Sequence, residues 1–280
     1  MKRTLLTTAT LLATVAAMVF ATQCGNDAAS GDGEATGGGG DDQAKAGDGE
    51  TGGGGDTAKT PEPAAPAGKG TIKGKVAFTG TAPTPAPINR DSDPVCKATP
   101  RNAEDVLVEN GALRNVIVRI SKGVRTPVAG SGSIEINQTE CMYTPRVSAI
   151  SAGQKIAVKN GDQTMHNVHT YPPEGESGLN RAQVPGSNAI EVEYTTHGAV
   201  VAFKCDVHPW MAAHVSVTNH PYFAVTGADG TFNIADVPAG SYTLEAWHEK
   251  FGSKTADITV AADGTVETNF SYAGTEQPAG

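Results

Sequence analysis

The sequence predicts an all-β protein built as antiparallel sandwiches. Three observations carry this. Short apolar–polar alternations recur along the chain from Thr71 onward. Turn residues separate them, with 34 Gly and 17 Pro among 280 residues. No stretch beyond the N-terminal leader shows the 3.6-residue period of a long helix.

Thr71 to Phe78 alternates and predicts the first strand. Gly80 to Pro87 is a Pro-rich loop, and residues 88–105, which hold Cys96, read as irregular. Leu113 to Ile120 predicts a second strand, followed by a turn-rich link from Gly123 to Gly132. Ile134 and Ile136 lie on a third. Arg146 to Ile150 and Lys155 to Lys159 give two more, parted by a turn at Ala152-Gly153. Residues 171–189, rich in Pro and Gly, predict a loop over a sheet edge. Ile190, Val192 and Tyr194 alternate, His197-Gly198 turns, and Val200, Ala202 and Lys204 lead into Cys205. His214, Val215 and Val217 close that group. Further on, Phe232 and Ile234 share one face, as do Tyr242, Leu244 and Ala246. Ala228-Asp229-Gly230 is a hairpin turn, and Val237 to Gly240 connects the next pair. Ile258, Val260, Val266 and Phe270 supply the last strands.

The ends read differently. Met1-Lys2-Arg3 followed by Leu5 to Ala21 is a charged start and an apolar run, which predicts a secretory signal over residues 1–23. Val19-Phe20-Ala21 suits an ordinary signal peptidase, whereas Ala21-Thr22-Gln23-Cys24 resembles a bacterial lipobox, with Gln23 in place of the usual small residue. The tether-like composition that follows favours lipidation of Cys24. That places the protein in the periplasm or on the cell surface, anchored to a membrane. Residues 24–69 predict a disordered linker, since they lack apolar groups to offset chain entropy. GDGEATGGGGD recurs there as GDGETGGGGD, and Pro61 to Pro66 stiffens its exit. The formal charge of −9 is uneven: residues 24–70 hold nine acidic and three basic residues. Residues 71–280 hold 21 acidic and 16 basic residues, a mildly acidic balance with no basic stripe, so a nucleic-acid partner is excluded.

Chemistry concentrates in Cys205-Asp206-Val207-His208-Pro209-Trp210-Met211. Thiolate, imidazole and thioether at Cys-x2-His-x2-Met spacing are the ligands copper prefers, and a blue-copper site needs one more imidazole. A source lies in Asn160 to His169, the stretch NGDQTMHNVH. Structural zinc sites favour paired Cys or His knuckles, and Cys205 has no Cys partner at such spacing.

The pair NGDQTMHNVH and FKCDVHPWM resembles the copper loops of the cupredoxins, amicyanin above all for its short Cys-x2-His-x2-Met loop. The resemblance covers residues 133–218 and implies a Greek-key sandwich. It also implies that His166, Cys205, His208 and Met211 are the copper ligands and that Asn160 ties the two copper loops together. Asp206 stands where that family commonly has Thr or Ser, which bears on the hydrogen bonding behind the ligands. His169, three residues after His166 on a strand, points to the other face. His197, His214, His220 and His248 read as surface or junction histidines.

The C-terminal stretch YFAVTGADGTFNIADVPAGSYTLEAWHEKFG resembles the carboxypeptidase regulatory-like (transthyretin-like) β-sandwich family. Gly70-Thr71-Ile72-Lys73-Gly74-Lys75-Val76 matches that family's first strand. The resemblance implies a small sandwich split as residues 70–132 plus 219–273 around the inserted cupredoxin; two domains in tandem is the simpler alternative. It implies no peptidase activity.

Four cysteines remain to be assigned. If Cys24 carries lipid and Cys205 binds copper, Cys96 and Cys141 are left to pair outside the cytoplasm; the alternative makes Cys141 a further metal ligand. The set of ligands implies single-electron transfer and no enzyme, because no coordination position is open to substrate. A redox partner is expected to dock near His208 and Trp210. A copper module for storage, delivery or sensing, and a structural surface protein, are the alternatives.

Overall fold

The computed structural model describes residues 67–277. The expected signal peptide, the lipidated Cys24 and nearly all of the linker lie outside them. Among the described residues no helix is long and apolar enough to cross a membrane. The described residues are all-β apart from one four-residue helix.

The first elements are β1 (Lys69–Phe78), α1 (Pro94–Lys97), β2 (Val108–Glu109), β3 (Ala112–Leu113) and β4 (Ile117–Lys122). Next come β5 (Ser133–Thr139), β6 (Met142–Thr144), β7 (Val147–Ser151), β8 (Lys155–Asn160), β9 (His166–Tyr171), β10 (Asn180–Gln183), β11 (Ile190–Glu193), β12 (Val200–Lys204) and β13 (Ala212–Thr218). The last are β14 (Phe223–Val225), β15 (Thr231–Pro238), β16 (Gly240–His248), β17 (Gly252–Val260), β18 (Thr265–Glu267) and β19 (Phe270–Tyr272).

Strands β5–β13 make two sheets, ordered β10-β9-β12-β13-β7 and β11-β8-β5-β6. Most neighbours run antiparallel, while β13 pairs β7 and β5 pairs β8 in parallel. Their inward residues, among them Ile136, Tyr143, Ile156, Val168, Phe203 and Val215, form one buried cluster that also takes in Cys96, Cys205 and Met211. The other two sheets, β14-β4-β16-β17 and β15-β1-β3-β2 with β18 and β19 alongside β1, join residues before β5 to residues after β13. Their core holds Ile72, Val76, Leu113, Val118, Phe232, Leu244 and Tyr272. Full burial of an aliphatic or aromatic side chain contributes about 1.5–3 kcal/mol, so each cluster stabilises its own pair of sheets.

Gly74 shows why β1 carries glycine. A Cβ there would meet the Thr268 carbonyl oxygen at 1.8 Å and the Phe232 ring at 2.8 Å. Gly74→Ala is expected to lower the unfolding free energy by roughly 1–3 kcal/mol through overpacking. Denaturant unfolding checks this, and metal binding should be unchanged because the ligands belong to the other sheets.

Two departures from the sequence reading position the site. Residues 88–105 are not wholly irregular. Asp93 caps α1 by accepting from the amides of Val95 and Cys96, with Pro94 opening the helix, a combination suited to a helix start. Within residues 171–189, β10 pairs along β9 from Asn180–His169 to Gln183–His166.

Two buried arginines tie the sheet pairs together. Arg119 on β4 donates to Glu245 Oε2 at 2.8 Å, to Ser216 Oγ at 2.7 Å and to the Gly198 carbonyl at 3.0 Å. Arg146 donates from Nε and a terminal nitrogen to the two oxygens of Glu249, at 2.6 and 2.7 Å.

Candidate metal centre

β9 opens with His166, and the β12–β13 connection carries Cys205, His208 and Met211. Because β9 pairs antiparallel with β12, Lys204 stands opposite His169. The His loop and the Cys loop therefore meet at one end of the sheet. His166 and Met211 are 0% exposed, Cys205 and His208 1%.

Three donor atoms converge. Nδ1 of His166 and Nδ1 of His208 lie 2.8 Å apart, and Cys205 Sγ is 3.9 Å from the first and 3.8 Å from the second. A metal ion bonding nitrogen at about 2.0 Å and sulfur at about 2.3 Å reaches all three. Met211 shares the buried cluster with Cys205, and its amide donates to the His208 carbonyl at 2.9 Å, closing the loop as a turn.

The outer ring nitrogens fix which way the lone pairs point. His166 Nε2 sits 2.9 Å from Asp162 Oδ2. His208 Nε2 sits 3.2 Å from Asp93 Oδ2. A carboxylate accepts and cannot donate when ionised, so each imidazole carries its proton on Nε2 and turns the Nδ1 lone pair inward. Two lone pairs at 2.8 Å repel unless a proton or a metal cation lies between them. The electrostatics agree with a site made for a cation. Burial alone would raise the Cys205 thiol, but His166 and the amides of Asn167, His208 and Val207 outweigh it and hold it below its ordinary value. Burial opposes charging of His166, yet Asp162 and Cys205 raise it overall. Burial, then the charge of His166, lowers His208.

The residues behind the ligands differ in part from expectation. Asn160 donates to the Thr164 and Gln183 carbonyls, both at 2.9 Å, and accepts from the Asp162 amide at 3.0 Å. These bonds brace the His loop and the end of β10. The tie between the His loop and the Cys loop falls instead to Asn167. Its Oδ1 accepts from the Asp206 amide at 2.6 Å, its Nδ2 donates to Asp206 Oδ2 at 3.0 Å, and its own amide lies 3.5 Å from Cys205 Sγ. Asp206 also accepts from Asn180 Nδ2 and from His169 Nδ1, both at 3.0 Å. His169, on the opposite face from His166, is thus half-buried against that carboxylate and stacked on Tyr171. Asn167→Ala is expected to weaken metal binding by roughly 10–100-fold, the range for losing a group that orients a ligand. Competition with a chelator of known affinity measures it.

Cys96 and Cys141 are joined as a disulfide, with Cα atoms 5.5 Å apart, and both are fully buried. Cys205 is the free cysteine among the described residues. The His208 ring, near which a redox partner is expected to dock, is 1% exposed. Its outer nitrogen is covered by Asp93 and by Cys96 Sγ at 3.5 Å. Trp210 lies 5.1 Å from the His208 ring and donates its indole N–H to the Cys141 carbonyl at 2.9 Å, so it helps to cover the ring. Neither Asp93 nor Asp162 was singled out from the sequence. Asp162 lies inside the His loop itself; Asp93 carried only a helix-start signal.

Residues 196–273 match the family model of the carboxypeptidase regulatory-like domain. The match takes in β14–β19 and also β12 and β13, which pair in the sheet that carries Cys205; β1, with its Gly70 to Val76 stretch, lies outside it. A search of curated proteins finds no sequence match. Among solved structures, part of the chain is similar to a reduced Cu(I) form of an amicyanin variant, at 23% identity and a TM-score of 0.28, covering 36% of this chain and 97% of that one. It is also similar to a purple cupredoxin from Nitrosopumilus maritimus, at 21% identity and a TM-score of 0.26, covering 31% of this chain and 100% of the other. A Cu-containing nitrite reductase from Thermus scotoductus SA-01 matches at 16% identity and a TM-score of 0.28, over 34% of this chain and 24% of the reductase. These likenesses are partial, and the functional reading rests on the donor set.

Proposed function

We propose that this chain is an exported, lipid-anchored type-1 copper protein that carries single electrons. The observation that carries the reading is the convergence of two inward imidazole lone pairs and a buried thiol within 3.9 Å of one another. Two imidazoles and one thiolate with a thioether nearby suit copper better than zinc, magnesium or calcium. His166, Cys205 and His208 would hold the ion, and Met211, buried in the same cluster as Cys205, would supply a weakly bonding thioether that tunes its potential. Bound copper supplies a one-electron couple. The chain keeps the imidazoles oriented through Asp162 and Asp93, keeps the sulfur ionisable, and excludes water from all four side chains. A filled donor set leaves no position for substrate, so the reading is a carrier and not an enzyme.

A redox partner is part of the same proposal. With His208 covered, it would approach over Met165 and Val207, which are 43% and 44% exposed and flank the ligands in sequence. Such encounters are small and transient. The anchor rests on Cys24 and the residues before it.

Cyclic voltammetry of the copper-loaded protein tests the reading. A reversible one-electron couple supports it. Copper bound without a reversible couple would assign the site to storage or delivery instead. Copper affinity should also fall as pH drops, because protons compete for His166 and Cys205.

A further inference from the structure

Each histidine of the metal centre is held from behind by a carboxylate, and each carboxylate is held by the amide of one half of the same disulfide. Asp162 Oδ2 accepts from His166 Nε2 at 2.9 Å and from the Cys141 amide at 2.8 Å. Asp93 Oδ2 lies 3.2 Å from His208 Nε2, and its Oδ1 accepts from the Cys96 amide at 3.1 Å. Asp93 also takes the Thr164 hydroxyl at 2.6 Å, two residues before His166. The bond between Cys96 and Cys141 closes this circuit.

The two carboxylates come from different places. Asp162 belongs to the His loop. Asp93 belongs to the chain between β1 and β2, outside the strands that supply the ligands. That segment lies over His208, whose ring is 1% exposed. Arg90 fastens it further, donating to the Thr99 carbonyl and to the Glu140 carbonyl beside Cys141.

We propose that residues 89–99 are a stapled cap that retains the metal, with Asp93 as the positioning residue for His208. On the copper reading above, on which this rests, the metal is then a resident cofactor and not cargo to be handed on. Exchange of the ion requires His208 to turn or leave. The cap blocks both movements, through Asp93 on the ring nitrogen and through Cys96 sulfur 3.5 Å from the same atom. A cap tied by hydrogen bonds alone would open by local fluctuation; the covalent tie to Cys141 limits how far it can swing.

The test is release of cuprous ion from the anaerobically loaded, full-length protein to excess bicinchoninate, timed by absorbance. Three proteins are compared: wild type, Asp93→Asn, and Cys96→Ser/Cys141→Ser. Asn keeps an oxygen for the amides of Val95 and Cys96 but offers His208 no anionic partner. Release is expected to be at least tenfold faster in both variants, within the 10–100-fold range for losing a group that orients a ligand. Asp93→Asn should also raise the reduction potential, because the carboxylate favours the more positive cupric ion. That shift separates positioning from simple structural support, and this variant keeps the disulfide if the double variant folds poorly. Equal release from wild type and both variants, with the potential of Asp93→Asn unchanged, would overturn the cap while leaving the copper site standing. Failure of wild type to bind cuprous ion at all would overturn both.

Discussion

Glu249→Ala is expected to lower the unfolding free energy by about 3–5 kcal/mol, the cost of leaving a buried guanidinium without its partner. Arg146 and Glu249 side chains are 9% and 8% exposed. The pair is bidentate, and it joins the β6–β7 connection of the metal-bearing sheets to the turn between β16 and β17. Urea denaturation measures the loss. Replacing both partners together, as Arg146→Met/Glu249→Leu, should recover most of it, since a well-packed apolar pair is often as stable as a buried ion pair. The pH dependence carries a definite sign. Burial pushes the Glu249 carboxyl up, but His214 and Arg146 outweigh it and hold it at about 2, below the usual 4.5. Its contribution is therefore fully present above about pH 4.5 and is lost as pH falls through about 2. The stability gap between wild type and Glu249→Gln should close over that interval. A gap unchanged down to pH 2 would mean that His214 and Arg146 do not hold the carboxylate ionised.

Cys205→Ser is expected to weaken cuprous binding by on the order of 100-fold or more. Loss of a ligand should exceed the roughly 10–100-fold seen for loss of a group behind one, and a hydroxyl is a poor exchange for the soft thiolate that cuprous ion selects. The fold should survive, because Ser is nearly isosteric and Cys205 is a free cysteine among the described residues. Competition against bicinchoninate reads the affinity, and denaturant unfolding checks the fold. An affinity within threefold of wild type would remove Cys205 from the ligand set.

Much of this architecture is written locally. The alternation in Thr71 to Phe78 and in Val200 to Lys204 is recovered as β1 and β12, because each strand buries one face. The Cys-x2-His-x2-Met spacing places its three candidate ligands on one short turn. What escaped reading depends on distance along the chain. Asp93 reaches His208 across 115 residues, and Arg146 reaches Glu249 across 103; neither contact leaves a periodic trace. β10, the sequence Asn180-Arg181-Ala182-Gln183, is an edge strand with three exposed positions, so it lacks the apolar alternation that marks a strand. The helix start at Asp93-Pro94 has a cap residue and a proline, but α1 is only four residues long, so residues 88–105 read as irregular. The covering of His208 was equally hidden, because Asp93 and Cys96, which lie against its outer nitrogen, come from outside the ligand-bearing strands.

The most direct test of the central claim is the visible absorption and paramagnetic-resonance spectrum of the full-length protein with one equivalent of cupric ion. The expected result is an intense blue thiolate-to-copper band, one copper per chain, and a spectrum that is lost in Cys205→Ser. A colourless protein, whether it binds copper elsewhere or not at all, would contradict it.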